Sequence, residues 1–169
     1  VFFAIILIFW AIAIYNRLVA LKNRFLNSFS QIEVQLKRRH DLIPNLVNMV
    51  KGIMGHEKET WTEVVEMRNQ AVNGLKTCAA DPGDPQAMQQ LATAESALSG
   101  ALGRLFALSE AYPEIKSNTN MLQMQEDLKT TENKIAFARQ AFNDSVTDYN
   151  IYKQTFPSVL LAGTFGHAR

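Results

Sequence analysis

The residues that could do chemistry are few, and their spacing is poor for it. His56-Glu57-Lys58-Glu59-Thr60 opens like the helix of a zinc protease, in which two histidines four residues apart hold the metal and a glutamate between them acts as base. Position 60 is threonine, so the pattern fails. His40 and His167 lie far from it in sequence, and a closed metal site needs several convergent ligands. Carboxylates recur at helical spacing, at Glu59, Glu63 and Glu66 and again at Glu126, Asp127 and Glu132. A di-metal helical bundle needs Glu-x-x-His pairs on facing helices, and this chain has none. Glu132 and Arg139, two turns apart, read as a structural ion pair or an interhelical contact. Gly100-x-x-Gly103 follows no strand, so its expected use is close helix packing. The single Cys78 excludes an internal disulfide and a cysteine zinc site. It stands beside a loop and is expected to be a surface thiol. No serine has partners arranged for nucleophilic attack. No catalytic, cofactor-binding or metal-binding residue is assigned, no cofactor is expected, and the chain reads as not an enzyme.

The elements that carry these residues are helical. Asp81-Pro82-Gly83-Asp84-Pro85 is the strongest break, with Asp84 capping the next helix and Pro85 at its first position. Tyr112-Pro113 ends that helix, and Ser117-Asn118-Thr119-Asn120 is a polar connector closing on an N-cap at Asn120. Strand signals are nearly absent. Leu91, Ala94, Leu98, Ala101, Leu105, Leu108 and Tyr112 follow a 3-4 spacing, a coiled-coil-like seam. Met121, Leu128, Ile135, Phe142, Tyr149 and Phe156 recur every seven residues in a second seam. Leu18, Leu21, Phe25, Phe29, Ile32 and Leu36 share a face upstream. Pro44 should then end a helix at Lys37-Arg38-Arg39-His40-Asp41, with Asp41 capping its successor; a single kinked helix is the competing possibility. The successor runs on past Trp61 and Val64 to Leu75, loosened at Gly52 and Gly55. The fold class is all-α, three to four long helices in an elongated antiparallel bundle.

The opening residues answer a different question, namely where the chain resides. Val1 to Tyr15 are fifteen consecutive apolar side chains, and Leu18 to Leu21 add a weak further turn. Fifteen helical residues span roughly 22 Å and twenty-one about 31 Å, against a hydrocarbon core of ~30 Å. A cleaved signal peptide, through Ala11-Ile12-Ala13, and a buried core helix are the alternatives; neither a basic leader before the run nor a polar stretch after the alanines supports cleavage. The expected division is an anchor over 1–21, a helical bundle over 22–156 and an apolar tail over 157–169. Phe2, Phe3, Ile6, Phe9 and Trp10 are the candidate lipid-facing residues. Arg17, Lys22, Arg24, Lys37, Arg38 and Arg39 follow, six of the 17 basic residues against one of the 16 acids, Glu33. Basic residues flanking a span stay on the cytoplasmic side, which places the N-terminus outside. They also favour an anionic leaflet by about 1 kcal/mol each. They continue into no aromatic-interleaved patch, so nucleic acid is not an expected partner.

Read together, these motifs resemble the LemA family, a bacterial group of membrane-anchored helical proteins. The resemblance covers Tyr15-Asn16-Arg17-Leu18-Val19, the stretch from Gln31 to Arg39, and Asp41-Leu42-Ile43-Pro44-Asn45-Leu46-Val47. It resumes at His56-Glu57-Lys58-Glu59-Thr60, from Ser99 to Leu105, at Glu110-Ala111-Tyr112-Pro113, from Thr131 to Asp144 and at Phe156-Pro157-Ser158. His40, where the family often has an aromatic, and the ending Gly166-His167-Ala168-Arg169 depart from it. The resemblance implies a single-pass protein of the bacterial cytoplasmic (inner) membrane with an outside N-terminus and a cytoplasmic helical body. It implies no reaction.

The expected partners are the lipid bilayer and further copies of the chain, in a homo-oligomeric scaffold. The rival reading is an adaptor or sensor that recruits an unidentified cytoplasmic protein, docking around Lys37, Arg38 and Arg39. The tail from Phe156 to Phe165 should fold back on the bundle, or else contact lipid or a neighbour.

Overall fold

A computed structural model describes residues 1–166; the expectations for His167, Ala168 and Arg169 lie outside the described residues. The chain forms α1 (Phe2–Ile53), α2 (Lys58–Ala80), α3 (Pro85–Ser109), α4 (Pro113–Lys116), α5 (Thr119–Gln154) and α6 (Val159–Ala162). Among the described residues there is no strand. The expected architecture holds: a long apolar N-terminal helix followed by packed helices, four of the six long.

Two compact units are built from these helices. One takes Val1–Ile32 with Ala136–Arg169, the other Glu33–Ile135.

In the unit made of 33–135, the core draws Ile43, Leu46 and Val50 from α1, Val64 and Ala71 from α2, Leu98 and Leu105 from α3, and Met121 and Leu128 from α5. Burial of each such side chain is favourable by about 1.5–3 kcal/mol, which is what holds amphipathic helices together. Helix α2 approaches α3 closely at Gly74, where a Cβ would stand 3.5 Å from the Leu91 Cα. Asp84 caps α3 as expected, its side chain accepting the Gln86 N–H at 3.0 Å with Pro85 in the first turn.

Four expectations in this unit are corrected. Helix α1 does not end before Pro44; as the competing reading has it, one helix runs through the proline, here to Ile53, so Asp41 caps nothing. Proline leaves the carbonyl four residues earlier without its helical donor, and here that oxygen, on His40, accepts from Arg68 Nε at 3.0 Å. The break lies instead at residues 54–57, between α1 and α2, where Gly55 sits in a turn. Glycine gains nothing from helical geometry, and Glu57 makes no side-chain cap because its carboxylate accepts the Tyr112 hydroxyl at 3.2 Å. Gly100 and Gly103 mark no close helix contact; both are exposed, and nothing lies within 4 Å of a Cβ at Gly103. The cap of α5 is Asn118 rather than Asn120: its Oδ1 accepts the Met121 N–H at 3.1 Å.

In the unit made of 1–32 and 136–166, α1 packs against α5 through aromatic rings. Phe25 meets Phe142 and Tyr149 with centroids 6.3 and 5.3 Å apart, and Phe29 meets Phe142 at 6.0 Å. Such tilted and edge-on pairs add about 0.5–1.5 kcal/mol each beyond area burial. Ser28 and Ser145 pair their hydroxyls at 3.1 Å between these rings. The second seam closes one residue short of expectation, because α5 ends at Gln154 and leaves Phe156 exposed.

Candidate membrane anchor and buried ion cluster

Phe2, Phe3, Ile6, Phe9 and Trp10 all lie on the first turns of α1 and are exposed, from 80 % at Phe2 down to 37 % at Trp10. A stretch of α1 is long and apolar enough to cross a membrane, and only 11 % of it is buried. A soluble core helix would bury most of such a surface. Arg17, Lys22 and Arg24 are exposed just beyond it, Arg17 reaching over the Tyr152 ring at 5.9 Å.

The second half of the expected basic collar divides. Lys37 is exposed and pairs with Glu33 one turn earlier at 2.7 Å, and Arg38 is exposed. Arg39 is the correction: it points inward, 4 % exposed, and is not a surface residue. Its Nη2 donates to Ser99 Oγ at 2.6 Å, and its Nη1 lies 3.8 Å from Glu95 Oε2. The other Glu95 oxygen stands 2.6 Å from His40 Nε2. Burial pulls the Arg39 guanidinium below its ordinary pKa, opposed by the charge of Glu95 and then of Glu132; an arginine remains charged in any case.

This cluster joins α1 to α3. Ser99 accepts a hydrogen bond from the Arg39 guanidinium, and His40 Nε2 is engaged by the Glu95 carboxylate, so the arrangement ties the two helices together. Among the described residues, no three histidine, cysteine or acidic side chains gather at metal-binding range.

Sequence reasoning passed over Glu95 and Arg68 and gave His40 no partner. A signal for His40 and Glu95 exists: Arg39 and His40 fall between Leu36 and Ile43, and Glu95 falls four residues after Leu91 and three before Leu98, inside apolar stripes. Cys78 is also corrected. It is fully buried rather than a surface thiol, directed at the Met88 sulfur, and burial, with Asp84, Asp81 and Glu33, pushes its thiol up to about 11.

An open cavity of about 440 Å³ lies between α1 and α2, with Lys37, Asp41, Arg68 and Lys76 around an apolar floor of Val72 and Leu75.

Comparison with known proteins follows the same lines. The LemA family model matches residues 28–169, most of the chain and the part after the exposed apolar turns. Magnetosome protein MamQ of Magnetospirillum gryphiswaldense is 28 % identical over 170 residues, covering 92 % of this chain and 62 % of that protein. Magnetosome protein MamQ 2 of Paramagnetospirillum magneticum matches to the same extent. Protein LemA of Metamycoplasma hominis is 25 % identical over 141 residues, 83 % of this chain and 60 % of its own length. The chain thus spans about three-fifths of the length of these relatives, whose names state no reaction. With its helices, its anchor-like α1 and this match, the chain belongs to the LemA family.

Proposed function

We propose that this protein is a non-enzymatic scaffold of the bacterial cytoplasmic membrane. It crosses the bilayer once through α1, holds its helical body in the cytoplasm, and associates with copies of itself. The observation that carries self-association is on α5. Phe137, 81 % exposed, and Ile151, 58 % exposed, lie two heptads apart at the same position of α5, and a second copy packed along that line would take both out of water. A repeated contact of one chain with itself closes into a symmetric oligomer or extends into a filament. The MamQ relatives, named for the magnetosome, fit a role in organising membrane rather than transforming a substrate. The charges after the span support the orientation.

The test is the mass of the full chain in detergent or nanodiscs across a range of concentration. A defined oligomer that Phe137→Glu reduces to monomer supports the reading. A wild-type monomer at every concentration overturns it. Protease added outside intact cells should leave the body whole; its digestion would reverse the orientation.

The cavity beside Lys37 and Lys76 favours a second reading, an adaptor that takes up a cytoplasmic partner there. A cross-linker placed at Lys76 that captures another protein only when membranes are intact would support it over self-association.

A further inference from the structure

The turn into α6, and α6 itself, have two faces. Ser158 and Ala162 are buried, whereas Phe156, Leu160 and Val159 remain 75 %, 62 % and 46 % exposed. The place of attachment is what matters. Phe165 meets Tyr15 edge-on, with ring centroids 5.1 Å apart, and Tyr15 is the last residue of the apolar run of α1. Ile14 beside it is only 4 % exposed, while the residues before Ala11 are all exposed. The segment therefore touches the final turn of the apolar run. Arg17 follows two residues later, its guanidinium over Tyr152.

On the reading of α1 as a membrane span, on which this inference rests, that level is the boundary between hydrocarbon and headgroups. Tyrosine rings and snorkelling arginines both settle there. We propose that the outward face of residues 156–160 is a second membrane contact, lying in the lipid interface beside the span.

Two further observations suit lipid as the occupant. From Thr155 to Gly166 the chain has no charged residue, so no ion must be stripped of water on entry. Its backbone donors are also largely occupied. Val159, Leu160, Leu161, Ala162, Phe165 and Gly166 each donate to a carbonyl within the segment, and Pro157 has no N–H to satisfy. A backbone that has met its own hydrogen bonds can leave water at little cost, which is the condition lipid imposes. The arrangement differs from a free amphipathic helix because the span sets its depth, so a single turn is enough.

Tryptophan quenching in bilayers whose lipids carry bromine near the top of the acyl chains tests both levels. The full chain carries either its native Trp10 alone (Trp61→Phe) or a Leu160→Trp probe alone (Trp10→Phe, Trp61→Phe). Quenching and a blue shift of both support the proposal. If Trp10 is quenched and the Leu160→Trp probe is not, the span stands and the proposal falls. A blue shift of the probe without quenching means that protein, such as a second copy, covers the face, and this too overturns it. If Trp10 itself is unquenched, the span fails and the proposal fails with it. Phe156→Trp gives an independent probe of the same face should Leu160→Trp not accumulate.

Discussion

Arg68 Nε donates to the His40 carbonyl oxygen at 3.0 Å, and that oxygen is the one Pro44, four residues on, cannot bond. A side chain of α2 thus replaces a backbone donor missing from α1. A proline in a helix interior costs about 3 kcal/mol, part of it from the lost hydrogen bond. Here the loss is met from a neighbouring helix, so α1 continues beyond the proline to Ile53.

Removing the guanidinium should therefore matter most when the proline is present. Arg68→Met is expected to destabilise by about 1–3 kcal/mol, the range for a buried acceptor left bare. In a Pro44→Ala background, the new alanine supplies the missing N–H and the same substitution should cost clearly less. Thermal unfolding of the four variants in detergent gives the coupling. Strict additivity would mean that the two residues do not share the oxygen.

Glu95 faces Arg39 and His40, all three buried, and its loss strands a cation. Glu95→Ala should cost about 3–5 kcal/mol, as when one partner of a buried pair is deleted. Lys37→Ala breaks the exposed pair with Glu33 and should cost about 0.5 kcal/mol or less. If replacing all three buried groups together (Arg39→Met, His40→Phe, Glu95→Leu) costs as much as Glu95→Ala alone, uncompensated charge is not the cause.

Cys78 predicts a one-sided response to pH. Its native thiol is raised from its ordinary 9.0 to about 11, so the folded chain retains a proton that the unfolded chain releases. The contribution to stability is complete below pH 9 and is lost as pH rises through about 11, a fall of up to roughly 2 kcal/mol. Melting in detergent from pH 8 to 11 should show it, and Cys78→Ala, though less stable at pH 8, should show a flatter decline. A thiol reagent should react slowly with the native protein and quickly after unfolding; fast reaction in the native state would place the thiol outside.

Gly103→Ala should raise stability by up to about 1 kcal/mol, because a methyl there meets nothing and helix propensity improves. Gly74→Leu should lower it, since the added chain must grow into Leu91 across the α2–α3 contact. Unfolding midpoints of the two variants moving the same way would refute this account.

Period and punctuation make the helices legible in the sequence. The seven-residue recurrence from Met121 to Tyr149 is a buried line, and Asp84-Pro85 starts α3 where the capping residues say it must. The errors have two sources. Pro44 reads as the end of a helix because the donor that compensates it, Arg68, comes from another element. Arg39 reads as outward because a run of three cations suggests surface, yet helical phase turns the third one inward beside Leu36 and Ile43. Cys78 reads as outward from its nearness to a loop, although it lies three residues after buried Leu75 on the same face. At Pro44 the correction comes from a neighbour across the chain; at Arg39 and Cys78 it comes from helical phase, which buried residues three positions away already mark.

The joining of residues 1–32 with those from 136 onward into one compact unit carries a consequence for biosynthesis. Phe25 and Phe29 are translated early, but their partners Phe142 and Tyr149 emerge more than a hundred residues later. At ribosomal rates of roughly 5–20 residues per second that interval is roughly 5–20 s. Throughout it a nascent α1 displays an oily stripe with nothing to cover it, so the cell must shield the growing polypeptide with a chaperone or with the insertion machinery itself.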